Sequence, residues 1–300
     1  MLHVMALSYI SVNVQKVKLQ KGEMMELSDG VQRKLDELAS WYGERKGSIV
    51  AFSGGIDSTL ALFLARKYQG RDYAIGVISQ SESLKARDFD FARDFCRDFD
   101  IKLEVIRTRE LEDERYAKNP ANRCFYCKQH LFVDIGVIAQ SYPGFAVLSG
   151  ANHDDLGDFR PGMEAARKYE VLSPFVDCKV GKAEIRALAR FFGLPNWDKP
   201  ASPCLSSRIP YNQVVTAEKL QQIEAAEEIL LAAGFSNARV RHYGDTARVE
   251  VPADELPALL DQKEKVTASI QDLGFHVCEI DEEGLVSGKL NRVLGSSARR

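Results

Sequence analysis

Ser48-Ile49-Val50-Ala51-Phe52-Ser53-Gly54-Gly55-Ile56-Asp57-Ser58-Thr59-Leu60 decides how the first half of this chain folds. The apolar run Ser48–Phe52 is short enough for a buried strand, and Thr59–Ala65 continues with the length and composition of a helix. A turn of small residues lies between them. Strand, small turn and helix start together make an anion site. Gly54 and Gly55 let the backbone approach a phosphate, and the helix N-terminus presents unpaired N–H donors with a partial positive charge. Ser58 adds a hydroxyl donor. Asp57 would repel a bare phosphate, so it is expected to cap helix N–H groups or to work through a bound cation. The plainer reading is a serine-glycine turn opening an ordinary helix.

The spacing and the Gly-Lys-Ser/Thr ending of a Walker A loop are absent. Ser53–Ser58 instead resembles the SGGxDS loop of the PP-loop ATP pyrophosphatases. The resemblance implies a loop that binds the pyrophosphate of ATP, cleavage between the α and β phosphates, and adenylation of a substrate.

The chain has 300 residues, 45% of them hydrophobic and 28% charged, which suits a soluble globular protein of one large or two smaller domains. A net charge of −3 supplies no global basic field, which argues against a nucleic-acid partner. No apolar run reaches membrane-spanning length. Residues 1–14 lack a basic start and a clear cleavage site, so they read as a tail, with Met24 or Met25 as internal starts. The expected location is the cytoplasm.

Strand-like and helix-like runs alternate through the first two-thirds. Strands are expected at Ile49–Phe52, Tyr73–Ser79, Lys102–Arg107 and Phe145–Ser149, and helices at Thr59–Tyr68, at Ser83–Phe99 and from near Arg123. This pattern implies an α/β fold with a Rossmann-like parallel sheet and a ligand crevice at the carboxyl ends of its strands. The loop Ser149-Gly150-Ala151-Asn152-His153-Asp154-Asp155 follows the last strand and should share that crevice. Asp154 and Asp155 there suit magnesium, ribose or the capping of the next segment.

Four prolines between Pro195 and Pro210 mark a domain boundary. The expected division is a tail at 1–26, an ATP-binding domain at 27–200, a smaller α+β domain at 201–295 and a frayed end at 296–300. In the second domain Thr216 should cap a helix carrying Leu220, Ile223, Ala226 and Leu230 on one face, ended by Gly234. Strands at Ala238–His242 and Ala247–Val251 flank a turn, followed by a helix at Leu256–Leu273 and a strand at His276–Ile280.

Six cysteines in such a protein do not suggest a disulfide framework. Cys124 and Cys127 form a C-x-x-C at the start of a helix beside Arg123 and Lys128, a setting that lowers thiol pKa values. Zinc, iron–sulfur and redox readings all remain open for that pair alone. Cys204 lies in Ser202-Pro203-Cys204-Leu205-Ser206-Ser207-Arg208, the setting of a loop thiol near an anion. No second half of a four-ligand zinc site is visible. Three thiolates on a 4Fe-4S cluster would leave one iron free for a sulfide or a substrate. Cys96, Cys178 and Cys278 read as structural.

Taken together, SGGIDSTLAL, NRCFYCK, SGANHDDLGDFRPG, SPCLSSRIPYN and ARVRHYGDTARVEV resemble the LarE family over roughly Leu27–Leu290. These are ATP-dependent sulfur transferases of nickel-pincer cofactor synthesis. The resemblance implies adenylation of a pyridinium dicarboxylate mononucleotide with ATP and Mg2+, then sulfur attack to a thiocarboxylate with loss of AMP. In some members the cysteine matching Cys204 gives up its own sulfur. In others a 4Fe-4S cluster on cysteines matching Cys124, Cys127 and Cys204 carries a sulfide, and the presence of all three favours that type here. A hexamer is implied as well. Arg208, Arg239 and Arg241 are the expected cations near the nucleophile, with Glu227 and Glu250 holding metal or orienting the arginines. Otherwise these charges form a solvated sheet face. The rival functions are a tRNA thiolase with a three-cysteine cluster, an amide-forming ligase of the NAD or GMP synthase kind, and a non-enzymatic nucleotide or metal sensor.

Overall fold

A computed structural model describes residues 26–157, 160–286 and 288–293. The expected tails at 1–26 and 296–300 lie outside the described residues, Glu26 excepted. Helix α1 (Asp29–Gly43) precedes β1 (Gly47–Ala51) and α2 (Ile56–Gln69). Then come β2 (Ala74–Ser79), α3 (Ala86–Asp98), β3 (Lys102–Ile106), the single turn α4 (Glu114–Ala117), α5 (Arg123–Ala139) and β4 (Phe145–Leu148). The strands form a parallel sheet in the order β3-β2-β1-β4. β1 is buried along its whole length and β2 at all but its last residue, as expected of central strands covered on both faces. β3 alternates Lys102, Glu104 with apolar residues because it is the edge. Beyond β4 the backbone of Leu172 bonds to Val147 and Ser149, adding a minimal further strand that no periodicity announces.

Helices α6 (Pro161–Lys168), α7 (Pro174–Asp177) and α8 (Lys182–Phe191) follow. α1, α2 and α8 bury Leu38, Leu60, Leu64 and Leu188 in one core, and α5 and α6 bury Ile135 and Ala165 in another. The two cores lie on opposite faces of β1, whose Val50 belongs to the first and Ile49 to the second.

After the proline-rich stretch, α9 (Ala217–Ala232) leads into the hairpin β5 (Arg239–Tyr243) and β6 (Thr246–Glu250). The Thr216 side chain accepts from Lys219 N at 3.3 Å, which is the expected cap. α10 (Leu256–Asp261), α11 (Lys263–Gln271) and β7 (Val277–Ile280) complete this half, with β7 parallel to β6. The single helix expected over Leu256–Leu273 is thus two. Gln262 leaves the helical region at φ −104°, ψ 8°, and Leu259 and Val266 on either side of it enter the same core.

The sheet geometry brings the two expected loops together. Gly54 turns the chain at φ +70°, and a Cβ there would stand 2.8 Å from the Asp88 carbonyl oxygen. Gly150 approaches closer still, since its Cβ would lie 2.6 Å from Ser58 N. The loop after β4 therefore packs onto the first turn of α2 backbone to backbone. Gly150→Ala should force the two loops apart, costing about 1–3 kcal/mol in a urea titration and weakening nucleotide binding. An unchanged urea midpoint together with unchanged affinity would contradict this packing.

Candidate functional site

The loop Ser53–Gly55 leaves β1 at its carboxyl end and enters α2 with Gly55 as N-cap. Ser58 Oγ organises the turn. It donates to the Gly55 carbonyl at 3.0 Å, accepts from Ser53 N at 3.2 Å, and lies 3.1 Å from Ser53 Oγ. Asp57 does not cap the helix. α2 has no side-chain cap, and both Asp57 carboxylate oxygens accept from Lys182 Nζ at 2.7 Å. The short carboxylate reaches across the cleft to α8 instead of back to its own N–H groups. Burial outweighs the Lys182 charge and holds the Asp57 carboxyl above its ordinary value.

Asp154 and Asp155 are both engaged with protein. Asp154 accepts from Lys182 N at 2.8 Å, so it caps α8. Asp155 accepts from Asn152 N at 3.0 Å and pairs with Arg160 at 2.9 Å. Ser53, Asp57, Ser58 and Gly150 line a cleft of about 550 Å³ whose other wall includes Cys124 and Lys128. The phosphate-loop candidate and one expected sulfur ligand thus open into a single space.

Cys124 and Cys127 occupy the first turns of α5, and Cys204 precedes the short 3-10 turn Leu205–Arg208. Cys124 and Cys204 are exposed and Cys127 half-buried. The thiol charges act on one another: Cys204 raises the pKa of both Cys124 and Cys127. The expectation of lowered thiol pKa values is overturned for the C-x-x-C. At the half-buried Cys127 burial comes first and pushes the thiol up; Cys124 reaches solvent as a residue, yet the protein around its thiol acts in the same direction, and the Arg123 and Lys128 charges only partly offset it. Cys127 packs against Leu205, Ile209 and Ile223, a small core joining the two halves of the chain. Tyr116 lies within it, its hydroxyl 2.5 Å from Ser206 Oγ. Cys96 and Cys178 are buried and Cys278 half-buried, away from this group.

The solvated sheet face is not what forms around the arginines. Arg208, Arg241, Glu227 and Glu250 are all buried. Glu227 accepts from Arg208 Nε at 2.7 Å and Nη2 at 3.1 Å, and from Lys85 Nζ at 2.7 Å. Glu250 accepts from Arg241 Nη2 at 2.8 Å. Of the two roles open to these carboxylates, orienting the arginines is the one their contacts match. The described residues hold no group of three or more His, Cys, Asp or Glu side chains arranged for a metal ion. Arg208 Nη1 donates to the Pro203 and Cys204 carbonyls at 2.8 and 3.3 Å, and Arg241 Nη1 donates to the Ser207 carbonyl at 2.9 Å. Both guanidinium groups hold the Cys204 segment. Arg239 differs: its contact to protein oxygen is 3.4 Å, to Ala201, and it lines a pocket of about 180 Å³ with Arg87, Lys199 and Ser202. Burial, then the Arg208 and Arg241 charges, push Arg239 down to about 10.

Sequence reasoning missed Lys85, Lys182 and Lys199. Lys199 Nζ donates to Asp88 Oδ1 at 2.7 Å and to the Gly54 carbonyl at 3.3 Å, and Ser202 Oγ donates to Asp88 Oδ2 at 3.2 Å. Only for Lys182 was a signal present, a Gly-Lys pair with Glu184 three residues after Gly181 at the start of a helical run.

With this geometry in view, comparisons with known proteins are informative. The NAD synthase family model matches residues 24–119, the part that carries β1, the loop and α2. An uncharacterized protein of Synechocystis sp. is 36% identical over 266 residues, 88% of this chain and 99% of that protein. The pyridinium-3,5-bisthiocarboxylic acid mononucleotide synthase of Lactiplantibacillus plantarum is 35% identical over 245 residues, 82% of this chain and 89% of that enzyme. The chain belongs to the LarE family. A glutamine-hydrolyzing GMP synthase of Thermotoga maritima matches more distantly, 25% identical over 71% of this chain and 46% of the synthase. The match to the mononucleotide synthase covers 82% of this chain, whereas the NAD synthase match ends before Cys124, Cys127 and Cys204.

The buried Glu227 sets the acid stability of the LarE-type second half. Burial alone would raise its carboxyl, but Arg208 and Lys85 outweigh that and hold it below the ordinary 4.5. A carboxyl lowered on folding contributes stability above its unfolded value and loses it as the pH falls through the folded one. Glu227→Gln should cost about 3–5 kcal/mol at neutral pH and flatten the fall in stability below pH 4.5. Urea titrations of both proteins between pH 3 and 7 check this, and parallel acid limbs would contradict it.

Proposed function

We propose that this protein is an AMP-forming sulfur transferase acting on a pyridinium dicarboxylate mononucleotide. The observation carrying the proposal is the shared cleft, with the Ser53–Ser58 loop on one wall and Cys124 on another. In the first step a substrate carboxylate oxygen attacks the α phosphorus of ATP and pyrophosphate leaves. Backbone N–H groups at the start of α2 and the Ser53 hydroxyl bind the departing phosphates, with Ser58 holding the turn that presents them. Mg2+ belongs to this reading as the usual partner of a polyphosphate chain, with Asp57 and Asp155 among the carboxylates lining the cleft. In the second step sulfur attacks the acyl carbon and AMP leaves, a good leaving group that spares further activation. Arg239 and Lys199, facing the smaller pocket, suit the phosphate of the mononucleotide.

The donor set fits a 4Fe-4S cluster in kind. Cys124, Cys127 and Cys204 are soft ligands close enough to interact by charge, and Arg123 and Lys128 offset the charge of bound thiolates. Such a cluster would supply an iron site for an exogenous sulfide. The alternative sulfur source is Cys204 itself. Its Sγ attacks the acyl carbon and displaces AMP. Loss of the Cα proton then breaks the Cβ–Sγ bond, leaving a thiocarboxylate and dehydroalanine. A cytoplasmic homo-oligomer, a hexamer as the family resemblance implies, completes the reading.

Anaerobically purified protein should show a broad visible iron–sulfur absorption and convert ATP to AMP and pyrophosphate only with the dicarboxylate substrate. Cys204→Ser should still release pyrophosphate and form the acyl-adenylate, but no thiocarboxylate. Colourless protein that loses the mass of one hydrogen sulfide molecule after turnover would assign the sulfur to Cys204. Full turnover by Cys204→Ser would favour an amide-forming ligase instead.

A further inference from the structure

Cys124 and Cys127 on α5 and Cys204 before the Leu205–Arg208 turn stand far apart in the chain, so their spacing depends on what ties the two segments together. The tie is the short stretch 116–119, just ahead of α5. Asn119 is fully buried at φ +56°, a left-handed conformation that asparagine tolerates better than most residues. Its Nδ2 donates to the Pro210 carbonyl at 2.7 Å and the Ile209 carbonyl at 3.2 Å, and its own carbonyl accepts from Asn212 N at 2.8 Å. Arg123, the residue before Cys124, donates to Asn119 Oδ1. Those bonds grip the chain beyond the turn. The turn itself is reached by the Tyr116 hydroxyl, 2.5 Å from Ser206 Oγ, and among the described residues no other hydrogen bond joins 116–123 to it. Both side chains are buried, and the apolar packing around them would be met as well by phenylalanine and alanine. A lone pair of hydroxyls inside an apolar cluster holds one orientation, because breaking their bond strands both groups.

The three thiols need that restraint. Cys204 opposes the charge of both Cys124 and Cys127, so ionised sulfurs drive one another apart. Cys204 is exposed and has open solvent to move into. Among the described residues the three side chains are not gathered into a ligand set as they stand, so closing on a metal must move them. We propose that Tyr116 is a positioning residue for Cys204: through Ser206 it fixes the backbone of the turn, so that three thiolates can close on one soft metal centre by side-chain rotation alone. The proposal rests on the three-cysteine reading given above and adds the residue that builds the site. Tyr116 supplies no ligand. Burial, then the Cys204 and Cys127 charges, hold its hydroxyl well above its ordinary value, so it stays a neutral hydrogen-bond partner as the thiols ionise. A turn held in advance spares the metal the cost of ordering it, and there the gain in affinity lies.

Titration of the metal-free, reduced full chain with Cd2+ tests this, read by thiolate-to-cadmium charge-transfer absorbance. Cys204→Ser should lower the absorbance at saturation by about a third, the share of one thiolate in three. Tyr116→Phe and Ser206→Ala should each weaken Cd2+ binding roughly tenfold, and the double variant by no more than either one, since all of them remove the same bond. Losses that multiplied in the double variant would overturn the proposal. So would a Tyr116→Phe protein that unfolded earlier in urea yet bound Cd2+ as tightly as wild type, because Tyr116 would then only pack; the three-cysteine site would survive that result. An unchanged absorbance in Cys204→Ser would sink the three-cysteine reading, and this proposal with it.

Discussion

One buried carboxylate, Glu227, holds the two halves of this molecule in register. It comes from α9 and meets Lys85 from the loop after β2, Arg208 from the Cys204 segment and the backbone N–H of Val240 at 3.3 Å on β5. One negative charge therefore answers two buried cations. Burial pushes the Lys85 ammonium down, and Glu227 only partly restores it because Arg208 competes for the same carboxylate. Around Glu227 the cations outnumber the carboxylate, and the cationic surface continues beyond it although Lys199 there is paired with Asp88. That surface extends into the pocket lined by Arg239, Arg87 and Lys199, which is why an anion is the natural occupant there. Removing either partner of a buried pair costs more than the pair itself contributes, so the arrangement fixes geometry more than it adds stability.

The same constraint explains why arginines expected to stabilise the reaction are found holding backbone. Arg208 and Arg241 use their guanidinium groups on the Pro203, Cys204 and Ser207 carbonyls. A loop that crosses between two halves of a protein has few backbone partners of its own. Leu205 N finds one at the Ser83 carbonyl, 2.9 Å away. The remaining carbonyls are satisfied by the buried guanidinium groups, as buried polar groups must be.

Much of the fold was legible because its signals are local. β1, β2 and β4 begin or end within two residues of their expected places, since short apolar runs bounded by small residues have few alternatives. The Thr216 cap and the hairpin are equally local. What was not legible depends on distant partners. Nothing near Lys182 shows that its ammonium meets Asp57, 125 positions away. The lowered thiol pKa argument failed for the same reason. The charges beside Cys124 and Cys127 are local, whereas Cys127 packs against a cluster that includes residues far along the chain, and desolvation is the larger effect there. Glu250 stands between two valines as a charge on a solvated strand face would, and Glu227 sits beside Glu228 in a helix; their burial depends on Arg208 and Arg241, partners distant in the chain.

Adenylation followed by sulfur attack asks one carboxyl group to meet the α phosphorus through its oxygen and then sulfur through its carbon. Binding energy can serve both steps only if phosphate loop and sulfur are held at a constant separation. The Lys199–Asp88 pair meets that requirement. Lys199 bonds the Gly54 carbonyl, which belongs to the loop, and Asp88, which also accepts from Ser202 two residues before Cys204. Asp88 is itself buried and fixed by its own carbonyl lying under Gly54. A path of three hydrogen bonds therefore runs from the phosphate loop to the segment that carries Cys204 without passing through the substrate. Asn196 adds a second brace, donating to Thr59 Oγ1 at 2.9 Å and to the Gly54 carbonyl at 3.3 Å. The proline-rich stretch between the two halves thus serves as a spacer that the folded loop itself holds taut.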